Sequence, residues 1–179
     1  MPTPRVVRRR RAVKAGVSLL ALSLIAAIAS RVYLLQTAPA SPEKIAGLSD
    51  QESAILNLVN AARTHARLKP LRFSARLAVI ARAHSYDMAL RGYLNRVSPD
   101  GIGPAERARG AGISYDAVGE TIFMASYRDD EHLAERAVEG WLRSAEHRAT
   151  MLSNQFTDAG VGIARSGAGD VYVTQDFIR

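Results

Sequence analysis

Apolar residues in the first half of this chain recur at the spacing of helix faces. Across residues 49–66, Ile55, Leu58, Val59 and Ala62 fall on one side of a helix. Ser49 and Glu52 precede them in the Ser-x-x-Glu order of a capping box, in which each side chain satisfies a free backbone N–H. Lys69-Pro70 stops this helix. A second helix starts behind Ser74 as N-cap and stops at Gly92, with Leu77, Ala81, His84 and Met88 on its apolar stripe. Pro104 at a first helical position and Glu106 in the first turn predict a short helix closed by Gly110 or Gly112. A longer one over residues 130–144 buries Ala134, Ala137, Val138, Trp141 and Ala145. Its acidic row, Glu131, Glu135 and Glu139, reads as a solvated face.

The period changes to two near the end. Val171, Val173, Gln175 and Phe177 alternate with Tyr172, Thr174, Asp176 and Ile178, after a turn over residues 166–170 and an apolar run over 160–164. That pattern predicts a hairpin. Residues 113–124 look extended, and Gly119 interrupts them as a bulge or a close backbone approach would. Helices first and a hairpin last predict an α+β or three-layer domain.

The N-terminus is different. Residues 5–14 are densely basic, and sixteen residues without charge follow before Arg31. With Lys14 and Arg31 reaching towards the two interfaces, the stretch approaches the roughly 20 apolar residues of a membrane span. The expected organisation is a basic cytoplasmic tail over 1–14, a transmembrane signal anchor over 15–35, a linker over 36–48 and a folded domain over 49–179. The basic flank stays inside, which puts the domain outside the cytoplasmic membrane. A cleaved signal peptide is the alternative, since Ala27-Ile28-Ala29 and Ala38-Pro39-Ala40 offer small-x-small cleavage patterns, and it leads to a secreted or periplasmic domain.

Charge narrows the partners. The net charge is +7, but seven basic and no acidic residues precede Ser41, and 17 of each sign follow. The domain therefore has no overall basic field, and nucleic acid is not expected as a partner. The absence of cysteine excludes disulfides, thiolate metal sites and a thiol nucleophile.

Glu120, directly after Gly119, and His147, six residues after the single tryptophan, are the polar groups expected to share a cleft. Ser144 lies close to His147 but reads as the cap of a following short helix rather than as a nucleophile. No G-x-S-x-G or H-E-x-x-H pattern occurs. His84, on an apolar stripe with no metal-spaced partner, reads as a buried neutral imidazole bonded to nearby backbone, with a projecting ligand as the alternative.

Six separated motifs then fall in one order. They are Asn60-x-x-Arg63 with Leu68-Lys69-Pro70-Leu71, Ala83-His84-Ser85-x-Asp87-Met88-Ala89 and Ser98-Pro99-Asp100-Gly101. Gly119-Glu120, Trp141-x-x-Ser144-x-x-His147-Arg148 and Thr174-Gln175-Asp176-Phe177 complete the series. Together they resemble the CAP superfamily in its cysteine-free bacterial branch of SCP-like extracellular proteins, over roughly residues 49–179. The resemblance implies an α-β-α sandwich around a central antiparallel sheet. It also implies a cleft with two histidines and acidic residues, which binds a divalent metal in some members.

Carried over, Glu120 and His147 match cleft positions, and Ser144 stands at the second acidic one. The other histidine is replaced by Arg96, and two family asparagines by Thr121 and Thr150. Arg96 has no lone pair to give a metal, so no metal and no cofactor are expected. Arg96 is instead expected to pair with Glu120, the alternative being that it faces solvent. The functional expectation is a non-enzymatic binding module for a lipid, a cell-envelope component or a protein, with a cleft of Arg96, Glu120, Ser144 and His147. A hydrolase using Glu120 and His147 as acid and base is the alternative, and a purely structural envelope protein is a third reading.

Overall fold

The computed structural model describes residues 44–126 and 132–179. The expected membrane segment over 15–35 lies outside them, and no helix among the described residues is long and apolar enough to cross a membrane. Helix α1 (Asp50–His65) opens with the capping box, Ser49 N–H donating to Glu52 at 2.8 Å and Glu52 N–H to Ser49 Oγ at 3.2 Å. Just before it, Ile45 and Leu48 already pack on the core. Next come strand β1 (Arg72–Phe73), helix α2 (Ala75–Arg91) and helix α3 (Pro104–Gly110). Helix α2 ends at Gly92 with a φ of 69°, the left-handed stop that favours glycine. Strand β2 (Val118–Ala125), helix α4 (Leu133–Arg143) and helix α5 (Ala145–Met151) follow. Strands β3 (Asp158–Arg165) and β4 (Val171–Ile178) form the terminal hairpin.

The sheet order is β1-β3-β4-β2. The long strands pair antiparallel, as expected, but β1 joins β3 in parallel. The sheet is therefore mixed. Two residues are too few to show a period, so β1 leaves no sequence signal.

Strand β4 is buried along all but its last residue because helices cover both faces. Helices α1, α4 and α5 pack on one face, and α2 and α3 on the other. The larger core lies under α1 and α4, around Ile55, Val59, Val138, Trp141, Val173 and Phe177. Trp141 donates its indole N–H to the Ile122 carbonyl at 2.8 Å, satisfying the one polar atom of a fully buried ring.

Two glycines on β3 set the position of α2. A Cβ on Gly160 would stand 2.2 Å from Ala78 N, and one on Gly162 would stand 2.1 Å from Arg82 N. The helix backbone thus lies directly on the strand, closer than any side chain permits. Ser85 completes the contact, donating to the Gly162 carbonyl or to Thr174 Oγ1, each 2.9 Å away. This approach aims the next residue around the helix, His84, along the sheet towards β2.

Candidate functional site

Glu120 and Asp176 face each other across β2 and β4 in register. Both point to the α2 side, where His84 lies above them: its Nε2 is 3.8 Å from Glu120 Oε1. Helix α3 brings Arg107 in from the flank, and its Nη2 meets Glu120 Oε2 at 2.5 Å. The same guanidinium donates to the Arg96 carbonyl at 3.1 Å and to the Ile102 carbonyl at 2.9 Å. Arg107 therefore ties the 96–102 loop to the buried carboxylate. Glu120, His84 and Asp176 are exposed by 1%, 2% and 0% respectively.

The expected pair of Arg96 with Glu120 is replaced by another. Arg96 bonds to Glu146 on α5, and Glu120 takes Arg107. The reason is reach: Arg107 projects from a helix packed against β2, whereas the side chain of Arg96 turns outward along a loop whose carbonyl is already held. The Arg96 charge still acts on Glu120 and on His147, favouring the ionised carboxylate and the neutral imidazole.

His147 is half-buried on α5, and no hydrogen bond or ion pair joins it to Glu120. Burial first, then Arg96, moves its pKa down. Ser144 forms the corner between α4 and α5, and its Oγ accepts the His147 backbone N–H at 3.4 Å. The hydroxyl is engaged as a cap. The structure thus groups Arg96 with Glu146 and His147 at the rim, and Glu120 with His84, Arg107 and Asp176 beneath it.

The protonation of the buried group follows from its contacts. Burial pushes His84 down to about 4, and the Arg107 charge adds to the effect. Its Nε2 lies 3.0 Å from the Asn95 carbonyl, which fixes that nitrogen as the N–H donor of a neutral ring. The contact with Glu120 is consequently not an ion pair. Burial raises both carboxyls, Glu120 to about 7, and the Glu120 charge raises Asp176 further, whereas Arg107 and the hydrogen bond from Asp176 hold Glu120 down. Glu120 Oε1 and both Asp176 oxygens have no other hydrogen-bond partner. One shared proton resolves this arrangement. It resides on Asp176, because the cation sits on Glu120.

A divalent metal does not fit these residues. Arg107 occupies one Glu120 oxygen, His84 presents an N–H instead of a lone pair, and Arg96 adds a second positive charge nearby. Among the described residues no three His, Asp or Glu side chains group as a metal site.

Five helices and a four-stranded sheet in these layers, with an acidic and histidine cluster between α2 and β2, define an α-β-α sandwich. The chain belongs to the CAP family: the model of the cysteine-rich secretory protein family matches residues 56–177. It is 34% identical over 148 residues to an uncharacterized protein, YkwD, of Bacillus subtilis, covering 79% of this chain and 54% of that one. It is also 34% identical over 128 residues to the uncharacterized membrane protein YlbC of the same organism, covering 72% of this chain and 34% of that one. This chain therefore spans about half and about a third of those relatives. A crystal structure of an extracellular protein containing an SCP domain from Bacillus anthracis superposes with a TM-score of 0.63 at 31% identity, over 72% of this chain and 40% of that one.

His84 was legible only as a core imidazole bonded to backbone, which it is, but its place above Glu120 was not. Arg107 carried no sequence signal of its own, and Asp176 stood only in the terminal motif and strand alternation, with no link to Glu120. Asp176 needed the β2–β4 register, and Arg107 needed the packing of α3 on β2.

Proposed function

We propose that the domain is a non-enzymatic binding module displayed outside the cytoplasmic membrane, held there by the N-terminal apolar segment. Its ligand is a lipid, a cell-envelope component or a protein, and it meets the rim of Arg96, Glu146 and His147. One observation carries the reading: Glu120, one of the two acid–base candidates, and the buried His84 above it are closed off and already engaged, and no hydrogen bond or ion pair joins His147, the other candidate, to Glu120. Glu120 is 1% exposed with one oxygen on Arg107, and His84 spends its N–H on a backbone carbonyl. A general acid or base must come within hydrogen-bond reach of the proton it moves. Neither group has an open path to a substrate. The rim, by contrast, offers a guanidinium, a carboxylate and an imidazole with partial exposure. The names of the relatives, an extracellular protein and a membrane protein, support the location.

The test uses the full-length chain in detergent. Incubation with peptidoglycan fragments and envelope peptides gives no turnover, while retention on immobilised envelope lipid, glycan or protein fractions weakens on Arg96→Ala with His147→Ala. Turnover that disappears on Glu120→Gln would overturn the reading in favour of a hydrolase.

A further inference from the structure

At the opposite end of α1 from its capping box lies a cavity of about 710 Å³. Its wall comes from three places: the loop after α1, the loop before β3, and Arg179 at the end of β4. Five of its residues are cationic, namely Arg63, Arg67, Lys69, Arg72 and Arg179, and none of the lining residues is acidic. In a domain with equal numbers of basic and acidic residues after position 40, this is a concentrated positive field.

The floor is built. Arg63 is 1% exposed and donates to the carbonyls of Lys69, Met151, Ser153 and Phe156 at 2.8–3.2 Å. These four bonds clamp the two loops and use four of the five guanidinium N–H groups. Among the described residues no carboxylate pairs with this buried charge, and one Nη2–H is left over from these four bonds. Arg72, also on the wall, is already engaged in a bidentate pair with Asp158, at 3.1 and 3.0 Å. Arg67, Lys69 and Arg179 have no side-chain partner among the described residues. Arg67 also sits at φ 59°, the one non-glycine residue at positive φ among those described. A glycine would end the helix there without strain, so the backbone tolerates a left-handed residue that presents a guanidinium.

We propose that this cavity binds a phosphate-bearing ligand, with Arg67, Lys69 and Arg179 on the phosphate and the free Arg63 N–H beneath it. Guanidinium forks match phosphate oxygens in pairs, and a lysine adds a point charge. The volume is that of a small-molecule site rather than of one phosphate ion. Leu68, Pro70 and Phe156 give an apolar wall for the remainder of the ligand. The site is separate from the Glu120 cluster and independent of the function proposed there.

The probe is tripolyphosphate, titrated against the full-length chain by calorimetry and by thermal shift at low salt. The expected result is saturable binding at micromolar to millimolar levels that falls at least tenfold in the Arg67→Gln, Lys69→Gln, Arg179→Gln triple variant. A control triple, Lys44→Gln, Arg148→Gln, Arg165→Gln, removes equal charge elsewhere and leaves binding unchanged. A second arm compares wild type and the first triple on phosphatidylglycerol and phosphatidylcholine vesicles. A loss confined to phosphatidylglycerol identifies a lipid headgroup as the phosphate source. No difference there, with tripolyphosphate binding intact, identifies a soluble or polymer-borne phosphate. Absence of saturable tripolyphosphate binding, or an equal loss in both triples, overturns the proposal.

Discussion

Replacing Asp176 with asparagine separates the cost of the shared proton from the rest of the buried cluster. Asp176 is wholly buried opposite Glu120, and burial, then the Glu120 charge, raises its pKa well above the usual carboxylate range. The native state therefore keeps a proton that the unfolded chain releases near pH 4. Wherever the native state binds more protons than the unfolded state, stability falls as pH rises, by about 1.4 kcal/mol per pH unit and proton. The stabilising side of the window is thus below the unfolded pKa, and the loss accumulates above it. The wild-type protein therefore loses stability through this group as pH rises above 4, until the native pKa is passed.

Asp176→Asn has the same shape, carries no titrating proton and can donate its amide to Glu120 Oε1. The new carbonyl lacks a donor, which costs about 1–3 kcal/mol. The variant is expected to be less stable than wild type at pH 4, with a flatter profile above it, so that the gap closes as pH rises. Urea unfolding at half-unit pH intervals gives both profiles directly. Parallel profiles, or a variant less stable than wild type by the same amount at every pH, would refute the shared proton.

Other perturbations follow from the same contacts. Arg107→Gln leaves Glu120 without its cation and frees the Arg96 and Ile102 carbonyls, so it should cost about 3–5 kcal/mol at neutral pH, read from the urea midpoint. Arg96→Gln breaks a partly exposed pair and should change stability by less than about 1 kcal/mol, while the His147 pKa rises in a histidine NMR titration. Gly162→Ala places a methyl 2.1 Å from the Arg82 backbone nitrogen and should lower stability by at least about 1–3 kcal/mol in thermal melts, with α2 displaced.

Local rules wrote much of the fold into the sequence. Ser49, Glu52, Ser74, Gly92, Pro104 and Ser144 mark helix ends by their own chemistry, and each stands at such an end in the structure. The two-residue period of β4 separates Asp176 from Gln175 correctly onto opposite faces. Gly119 is a close approach, since a Cβ there would lie 2.6 Å from the Phe156 ring. The site was less legible because its contacts are long-range. Glu120 was found, but either Arg96 or Arg107 precedes β2 within reach of it, and only the seating of α3 decides between them. His84 shows the same limit. Its stripe position describes burial, whereas its neighbour across the layer depends on how tightly Gly160 and Gly162 let α2 approach β3.

The binding role proposed for the rim rests on the buried His84 above Glu120 being a neutral donor held to backbone. Carbon-detected NMR of the His84 ring in the full-length chain, followed from pH 8 to pH 4, tests it most directly. The expected result is one neutral tautomer, protonated at Nε2, persisting below pH 5, in keeping with a pKa of about 4. A ring that titrates between pH 6 and 7 would contradict it, because His84 and Glu120 would then be poised to exchange a proton.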